Sequence, residues 1–388
     1  MPRVNDAKAG ELSALLEARV QAALRECGGW LPFDRYMALA LYEPGLGYYA
    51  RGAPIFGSLP NGSGAGGNGG GGSDFITAPE LSPLFGAALA RQVAEVLRAG
   101  HLDQIVEFGA GSGALAEQVL GALDEQGLPG TRYAIVELTA ALRARQQQRL
   151  ARFGARVQWL DRWPDRIEGV VLGNEVLDAM PVQLLHWDGR AWHERGVVNA
   201  PAGSSVAFAF GDRPTVLSPP QREGWPAGAQ LEIHAQAEAF MRTLAERLAR
   251  GAAFFIDYGF PEAEYYHPQR HQGTLMCHRA HESDTDPLAA PGSKDITAHV
   301  NFTGIALAAQ EAGLEVIGYA TQARFLMNCG LLSLLQASAS PREVAAAQKL
   351  ITEHEMGELF KVIGLARGID FGPAGPLGFR AGDRTHQL

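Results

Sequence analysis

The run Val106-Glu107-Phe108-Gly109-Ala110-Gly111-Ser112-Gly113 constrains the fold of this chain more than any other stretch. It follows β-prone apolar residues and precedes a segment rich in Ala, Leu and Val. A strand that ends on alternating glycines and passes at once into a helix turns sharply and lets its backbone lie close to a ligand. The same rhythm continues along the chain. Strands are read at 104–108, 132–136, 156–159, 169–172 and 252–257, with a helix over 83–100 and others starting near Ser112 and Thr139. Strands that alternate with helices build a mostly parallel sheet, so the expected class is α/β with a Rossmann-like core.

Other segments depart from that rhythm. Residues 11–26 place Leu12, Leu15, Leu16 and Val20 at helical spacing, and 33–42 read as a second helix before Pro44-Gly45, which together predict a helical N-terminal lobe. Residues 57–73 form a low-complexity, glycine-rich stretch, expected to be a surface insertion rather than a phosphate cradle, because no strand feeds it and no helix follows directly. Between the fourth and fifth strands, 182–187 alternates, Asp188-Gly189 is a hairpin signal, and 191–198 and 205–210 continue in β character, which predicts an antiparallel β insert. Helices are expected at 296–312 and 343–365, with a strand at 315–320 between them. The expected division is 1–99 for the N-terminal lobe with its glycine-rich loop. The remainder, 100–388, would be the core, with the β insert near 182–230 and a C-terminal helical extension.

Composition narrows the partners. With 388 residues, 46% of them hydrophobic, the chain can bury one large core or two modest ones. A net charge of −9 offers no broad basic surface of the kind that neutralises phosphates, which argues against nucleic acid and against anionic membranes as general partners. Cys27, Cys277 and Cys329 are odd in number and far apart, so neither a disulfide framework nor a zinc site is indicated. The first twenty residues include Asp6, Glu11 and Glu17 and lack an apolar run, and no stretch nears the ~20 apolar residues that span a bilayer. The expected location is the cytoplasm, without membrane insertion. His267, His271, His278 and His281 lie at irregular spacing with no accompanying acid pattern, so no metal is expected.

Three groups of residues point to chemistry. Gly109, Gly111 and Gly113 form the turn, which also satisfies a loosened dinucleotide fingerprint. Glu137 closes the next strand, where an acid can accept both ribose hydroxyl hydrogens of an adenosine. Glu107, at the end of the first strand, favours a ligand with a cationic amino acid end and disfavours a pyrophosphate, which it would repel. The third group is Asn174-Glu175-Val176-Leu177-Asp178-Ala179-Met180-Pro181 beyond the fourth strand, at the edge where open parallel sheets place ligands. Two carboxylates three residues apart would share a helical face, able to orient a nucleophile, accept its proton or bind a cation. These residues leave a nicotinamide-dependent oxidoreductase open, as well as a non-catalytic assembly factor that binds a cofactor to stabilise a docking surface. Glu107 favours methyl transfer from adenosylmethionine over the oxidoreductase, and a melting temperature raised by adenosylhomocysteine or by a dinucleotide would separate these two enzyme readings.

Six ordered segments resemble the MidA-like proteins, a family that includes a mitochondrial complex I assembly methyltransferase. They are Leu41-Tyr42 through Gly47-Tyr48-Tyr49, Asp74-Phe75-Ile76-Thr77-Ala78-Pro79-Glu80, Val106 to Gly113, Asn174 to Pro181, Ile256-Asp257-Tyr258-Gly259, and Asp295-Ile296-Thr297-Ala298-His299-Val300. The resemblance implies a class I Rossmann-like methyltransferase core using S-adenosyl-L-methionine and acting on arginine in a protein substrate, for the mitochondrial relatives a respiratory complex subunit. It also implies that Thr77 and Glu80 lie near the cofactor. Asn174 joins Glu107, the three glycines and Glu137 as a cofactor-binding candidate, with Glu175 and Asp178 as catalytic candidates that pin the guanidinium and polarise one nitrogen. Two departures bear on substrate choice: the glycine-rich stretch is lengthened, and Asn301 stands where an acid is expected.

Overall fold

Strand β1 (Gln104–Phe108) lies between β2 (Arg132–Val136) and β4 (Ile167–Asn174), parallel to both. β3 (Val157–Leu160) continues in parallel beyond β2, and β5 (Leu248–Phe260) in parallel beyond β4. β7 (Phe360–Arg367) then runs antiparallel between β5 and β6 (Glu315–Thr321). The order is β3-β2-β1-β4-β5-β7-β6. The winding direction reverses between β1 and β4, which opens a crevice outside the carboxyl ends of those strands. Register brings the ends level: Phe108 pairs with Val136 and with Gly173, and Asn174 pairs with Ile256. The structure is a computed structural model and describes residues 4–51, 77–220, 223–279, 282–338 and 340–388.

Helices pack on this sheet for reasons visible in their residues. α1 (Ala78–Leu81) leads into α2 (Pro83–Gly100), whose start is fixed by the Ser82 hydroxyl accepting from the Leu84 amide and by Pro83 in the first turn. α2 buries Leu84, Phe85, Leu89, Val93, Val96 and Leu97, while α3 (Ala114–Glu125) buries Leu115, Val119, Leu120 and Leu123. These side chains join Ile105, Ile135, Val170, Leu172, Phe254 and Ile256 in one core, each burial worth about 1.5–3 kcal/mol. α4 (Ala140–Arg149) follows β2.

Two expectations about elements are corrected. The helix expected at 343–365 ends at Ile351 and gives way to β7, whose residues from Phe360 to Ala366 are buried. A strand covered on both faces shows a continuous apolar run instead of an alternation, so its period misleads. The helix expected at 296–312 begins only at Phe302 (Phe302–Glu311), since Asp295–Thr297 and Val300–Asn301 are short strands.

The chain forms two compact units. One comprises Phe56–Leu177, Glu238–Pro261 and Phe302–Leu388 and holds the sheet just described. The other comprises Met1–Ile55, Asp178–Ala237 and Glu262–Asn301. Packing therefore draws its boundaries elsewhere than at residue 99, because the N-terminal helices Val4–Glu26 and Phe33–Tyr42 fold with the antiparallel insert. Leu31–Pro32 pairs with Trp192–Asn199, which pairs in turn with Gln183–Trp187 and Phe208–Pro214, and Gln230–Ile233 completes that sheet. Phe33 meets Phe210 at 6.1 Å between ring centroids, and Trp30 Nε1 donates to the Gly211 carbonyl at 2.7 Å. The glycine-rich stretch lies outside the described residues. Among the described residues no helix is long and apolar enough to cross a membrane.

Candidate active site

At the end of β1 the chain turns through Gly109, Gly111 and Gly113, with φ of +65°, +51° and +83°. These left-handed conformations are costly for other residues. At Gly109 a Cβ would also come within 2.7 Å of Val176 Cγ2, so that position is closed to a side chain unless Val176 shifts. Its outer side is braced. The Ser112 hydroxyl bonds the Glu80 carboxylate, and Arg149 Nη1 reaches Glu80 at 3.0 Å while its Nε reaches Glu117 at 2.9 Å. Glu80 thus tethers α1 to the glycine turn. Thr77 caps α1 through its carbonyl, which accepts from the amides of Glu80 and Leu81 at 3.0 Å each.

Glu107 sits on β1 and is almost wholly buried, its carboxyl accepting from Tyr133 Oη at 2.9 Å. Burial pushes its pKa up to about 8, against the pull of the Tyr133 hydrogen bond and with help from the charge of Glu137. Glu137 follows β2 directly. Its Oε1 accepts from the Thr139 amide at 2.8 Å and its Oε2 from Gln146 Nε2 at 3.0 Å, which fixes the carboxylate while leaving further lone pairs for a ligand.

Beyond β4, Asn174 is buried. Its Nδ2 donates to Glu175 Oε1 at 3.0 Å, and its Oδ1 has no hydrogen-bond partner among the described residues. Residues 175–180 are bends and turns, so Glu175 and Asp178 do not share a helical face as their spacing suggested. Glu175 instead has φ of +54°, a conformation that costs about 1–2 kcal/mol for such a residue. Its neighbours hold it there: the Glu175 amide donates to the Ile256 carbonyl at 2.9 Å, and the amides of Val176 and Leu177 donate to Asp257 Oδ2 at 3.1 and 2.8 Å. Asp257 was legible as part of a family segment, but its grip on the Asn174–Leu177 turn was not. Eighty residues of sequence separation hide it.

Asp178 begins a segment of the other unit. It is buried, its carbonyl accepts from the Ala298 amide at 3.0 Å, and it lies near a stacked pair of phenols, Tyr42 and Tyr49, with centroids 5.6 Å apart. Tyr49 Oη donates to Asp295 Oδ1 at 2.8 Å. Enclosure of their hydroxyl ends, then the charges of Asp295 and Asp178, raises both phenol pKa values above the ordinary, while the rest of the Tyr42 side chain stays exposed. The structure thus groups Glu107, the glycine turn, Glu137, Asn174, Glu175, Thr77 and Glu80 in one unit, and places Asp178 with the tyrosines in the other. Among the described residues no three His, Cys, Asp or Glu side chains could hold a metal ion together.

Residues 88–320 match the family model for S-adenosyl-L-methionine-dependent methyltransferases. The chain belongs to that family. A crystal structure of a Burkholderia thailandensis protein bound to S-adenosyl-homocysteine superposes with a TM-score of 0.90 at 47% identity, covering 100% of this chain and 99% of that one. The protein arginine methyltransferase NDUFAF7 of Danio rerio is 29% identical over 363 residues, 84% of this chain and 80% of its own length. Its human counterpart is 26% identical over 393 residues, 87% of this chain and 80% of its own. The cofactor of this methyltransferase is S-adenosyl-L-methionine, and the residues at the sheet edge fit it. A fixed carboxylate suits a ribose diol, an unpartnered buried amide oxygen suits an ammonium hydrogen, and a left-handed glycine turn admits close approach of backbone. When bound, the cofactor supplies an electrophilic methyl on a sulfonium, with a neutral thioether as leaving group.

Proposed function

We propose that this methyltransferase acts on an arginine side chain of a protein, with a respiratory complex subunit as the substrate class to examine first. The observation that carries the acceptor is the shared name of the relatives, protein arginine methyltransferase, across organisms as distant as zebrafish and human. Geometry supports the same reading: Glu175 sits strained at the carboxyl end of β4, where a carboxylate can take paired hydrogen bonds from a planar guanidinium. In this reading Glu137 binds the ribose and Glu107 faces the amino acid end of the cofactor. The Asn174 oxygen accepts from the ammonium, Gly109, Gly111 and Gly113 make room, and Thr77 and Glu80 support the turn. The guanidinium nitrogen would form its bond to the methyl carbon as the sulfur–methyl bond breaks to a neutral thioether, and one N–H proton would pass to solvent by way of the Glu175 carboxylate. Position and desolvation supply most of the rate, with Glu175 and Asp178 orienting the acceptor and polarising the attacking nitrogen.

The test compares wild type with Glu175→Gln and Asp178→Asn, using radiolabelled cofactor and a lysate from cells lacking the protein. Turnover is expected to fall about tenfold or more in each while adenosylhomocysteine binds as before, the pattern of an interaction with acceptor and transition state. Equal labelling by wild type and a variant would remove that acid from the mechanism.

A further inference from the structure

Gln146 is the buried residue of α4, fully enclosed in a helix otherwise made of Ala, Leu, Arg and two more Gln. Its amide has three partners on three different strand ends. Nε2 donates to the Gly111 carbonyl at 2.9 Å and to Glu137 Oε2 at 3.0 Å, while Oε1 accepts from Trp159 Nε1 at 3.0 Å. The indole can only donate, and the carbonyl and carboxylate can only accept. One orientation of the amide therefore satisfies all three, and the flipped one would satisfy none. A leucine of similar size would take away the partner that the half-buried Gly111 carbonyl, a Glu137 carboxylate oxygen and the Trp159 indole N–H each find in Gln146.

We infer that Gln146 is a positioning residue for the cofactor: it fixes the distance and angle between the glycine turn after β1 and the acid after β2. It touches neither the methyl nor the acceptor. The inference rests on the reading that Glu137 binds the ribose, because Gln146 would act through that carboxylate. The Gly111 carbonyl is the other point of action. Held by an amide hydrogen, that carbonyl keeps the turn in its left-handed course.

Gln146→Glu is the informative variant. Ionised, the new carboxylate would face Glu137 Oε2 and the Gly111 carbonyl with no hydrogen to offer; protonated, it would donate one and restore part of the bridge. Adenosylhomocysteine affinity would be measured by calorimetry on the full chain from pH 5.5 to 8, expressed at each pH as the ratio of variant to wild-type Kd, with Gln146→Leu, Trp159→Phe and Glu137→Gln alongside. The Gln146→Glu ratio is expected to climb with pH, reaching about tenfold or more near pH 8, and Gln146→Leu to sit at about tenfold with no pH trend. Trp159→Phe, which leaves both donated bonds in place, should weaken binding only about two- to threefold. For the Gln146 and Trp159 variants the KM for the cofactor should follow Kd, and the rise in KM should exceed any loss in kcat. A role in packing alone would produce no pH trend, so a flat Gln146→Glu ratio near one in folded protein overturns the inference. Should Gln146→Leu fail to fold, the course of the Gln146→Glu ratio from pH 5.5 to 8 and the value for Trp159→Phe still decide it. Unchanged affinity in Glu137→Gln would overturn the ribose reading itself. Weakened affinity there, with wild-type affinity in both Gln146 variants, would overturn only the inference about Gln146.

Discussion

Glu107 shows how one buried side chain sets a pH dependence. Its pKa in the folded chain is about 8, against an ordinary value of 4.5. Below pH 4.5 both folded and unfolded chains keep the proton, and the residue contributes nothing. Between 4.5 and 8 the folded chain holds a proton that the unfolded chain has lost, so stability falls as pH rises, by up to ~1.4 kcal/mol per pH unit. Above 8 the full destabilisation is present. Glu107→Gln should flatten this fall, and thermal melts at pH 5.5 and 8.5 would show it as a smaller loss of Tm than in wild type. An equal loss in both would mean that other groups carry the dependence. At Glu137, loss of charge-assisted hydrogen bonds to the ribose, worth roughly 1.5–3 kcal/mol, predicts about a ten- to hundredfold rise in Kd for adenosylhomocysteine in Glu137→Ala. Calorimetry on the folded variant checks it, and unchanged affinity would sink the assignment.

Among elements, the turn after β4 depends on a neighbour in space. Asp257→Ala would strand the buried amide of Leu177, at about 1–3 kcal/mol, and the half-buried amide of Val176 at less, and release Glu175 from its left-handed conformation. Chemical denaturation should show a loss of roughly 2 kcal/mol or more, and turnover should drop further than cofactor affinity does. Wild-type turnover in a destabilised but folded variant would show that the clamp serves stability alone. The glycine turn after β1 predicts the opposite split: Gly111→Val should abolish cofactor binding while circular dichroism remains native-like, because a branched residue resists φ of +51°. These two turns also show what the sequence reveals. The β1 turn was legible because its cause is local, glycines at fixed spacing after a strand, and the same holds for β2 ending before Glu137. The clamps of Asp257 and Gln146 join residues 35 and 81 positions apart, such as Gly111 with Gln146 and Val176 with Asp257, and leave no local pattern. β7 escaped for a different reason, since burial on both faces erases the alternation that marks a strand.

At the scale of the whole molecule, two units share one chain that passes between them repeatedly. The parallel core and the antiparallel insert were both legible as patterns, but the grouping of the N-terminal helices with the insert was not, because it rests on contacts such as Phe33 with Phe210 far along the chain. Adenosylhomocysteine at 100 times its Kd should stabilise the folded protein by about 2.7 kcal/mol, and a nicotinamide dinucleotide at the same concentration should not. A scanning melt with each ligand reads this directly. The central claim, methyl transfer to protein arginine, is tested most directly by the chemical identity of the labelled residue. Protein from a lysate treated with the purified methyltransferase and methyl-labelled cofactor would be hydrolysed to amino acids and separated against standards. The label is expected in methylated arginine, and to fall about tenfold or more when Glu175→Gln replaces wild type. Label in methyllysine, in nucleic acid or in a small metabolite would contradict the account.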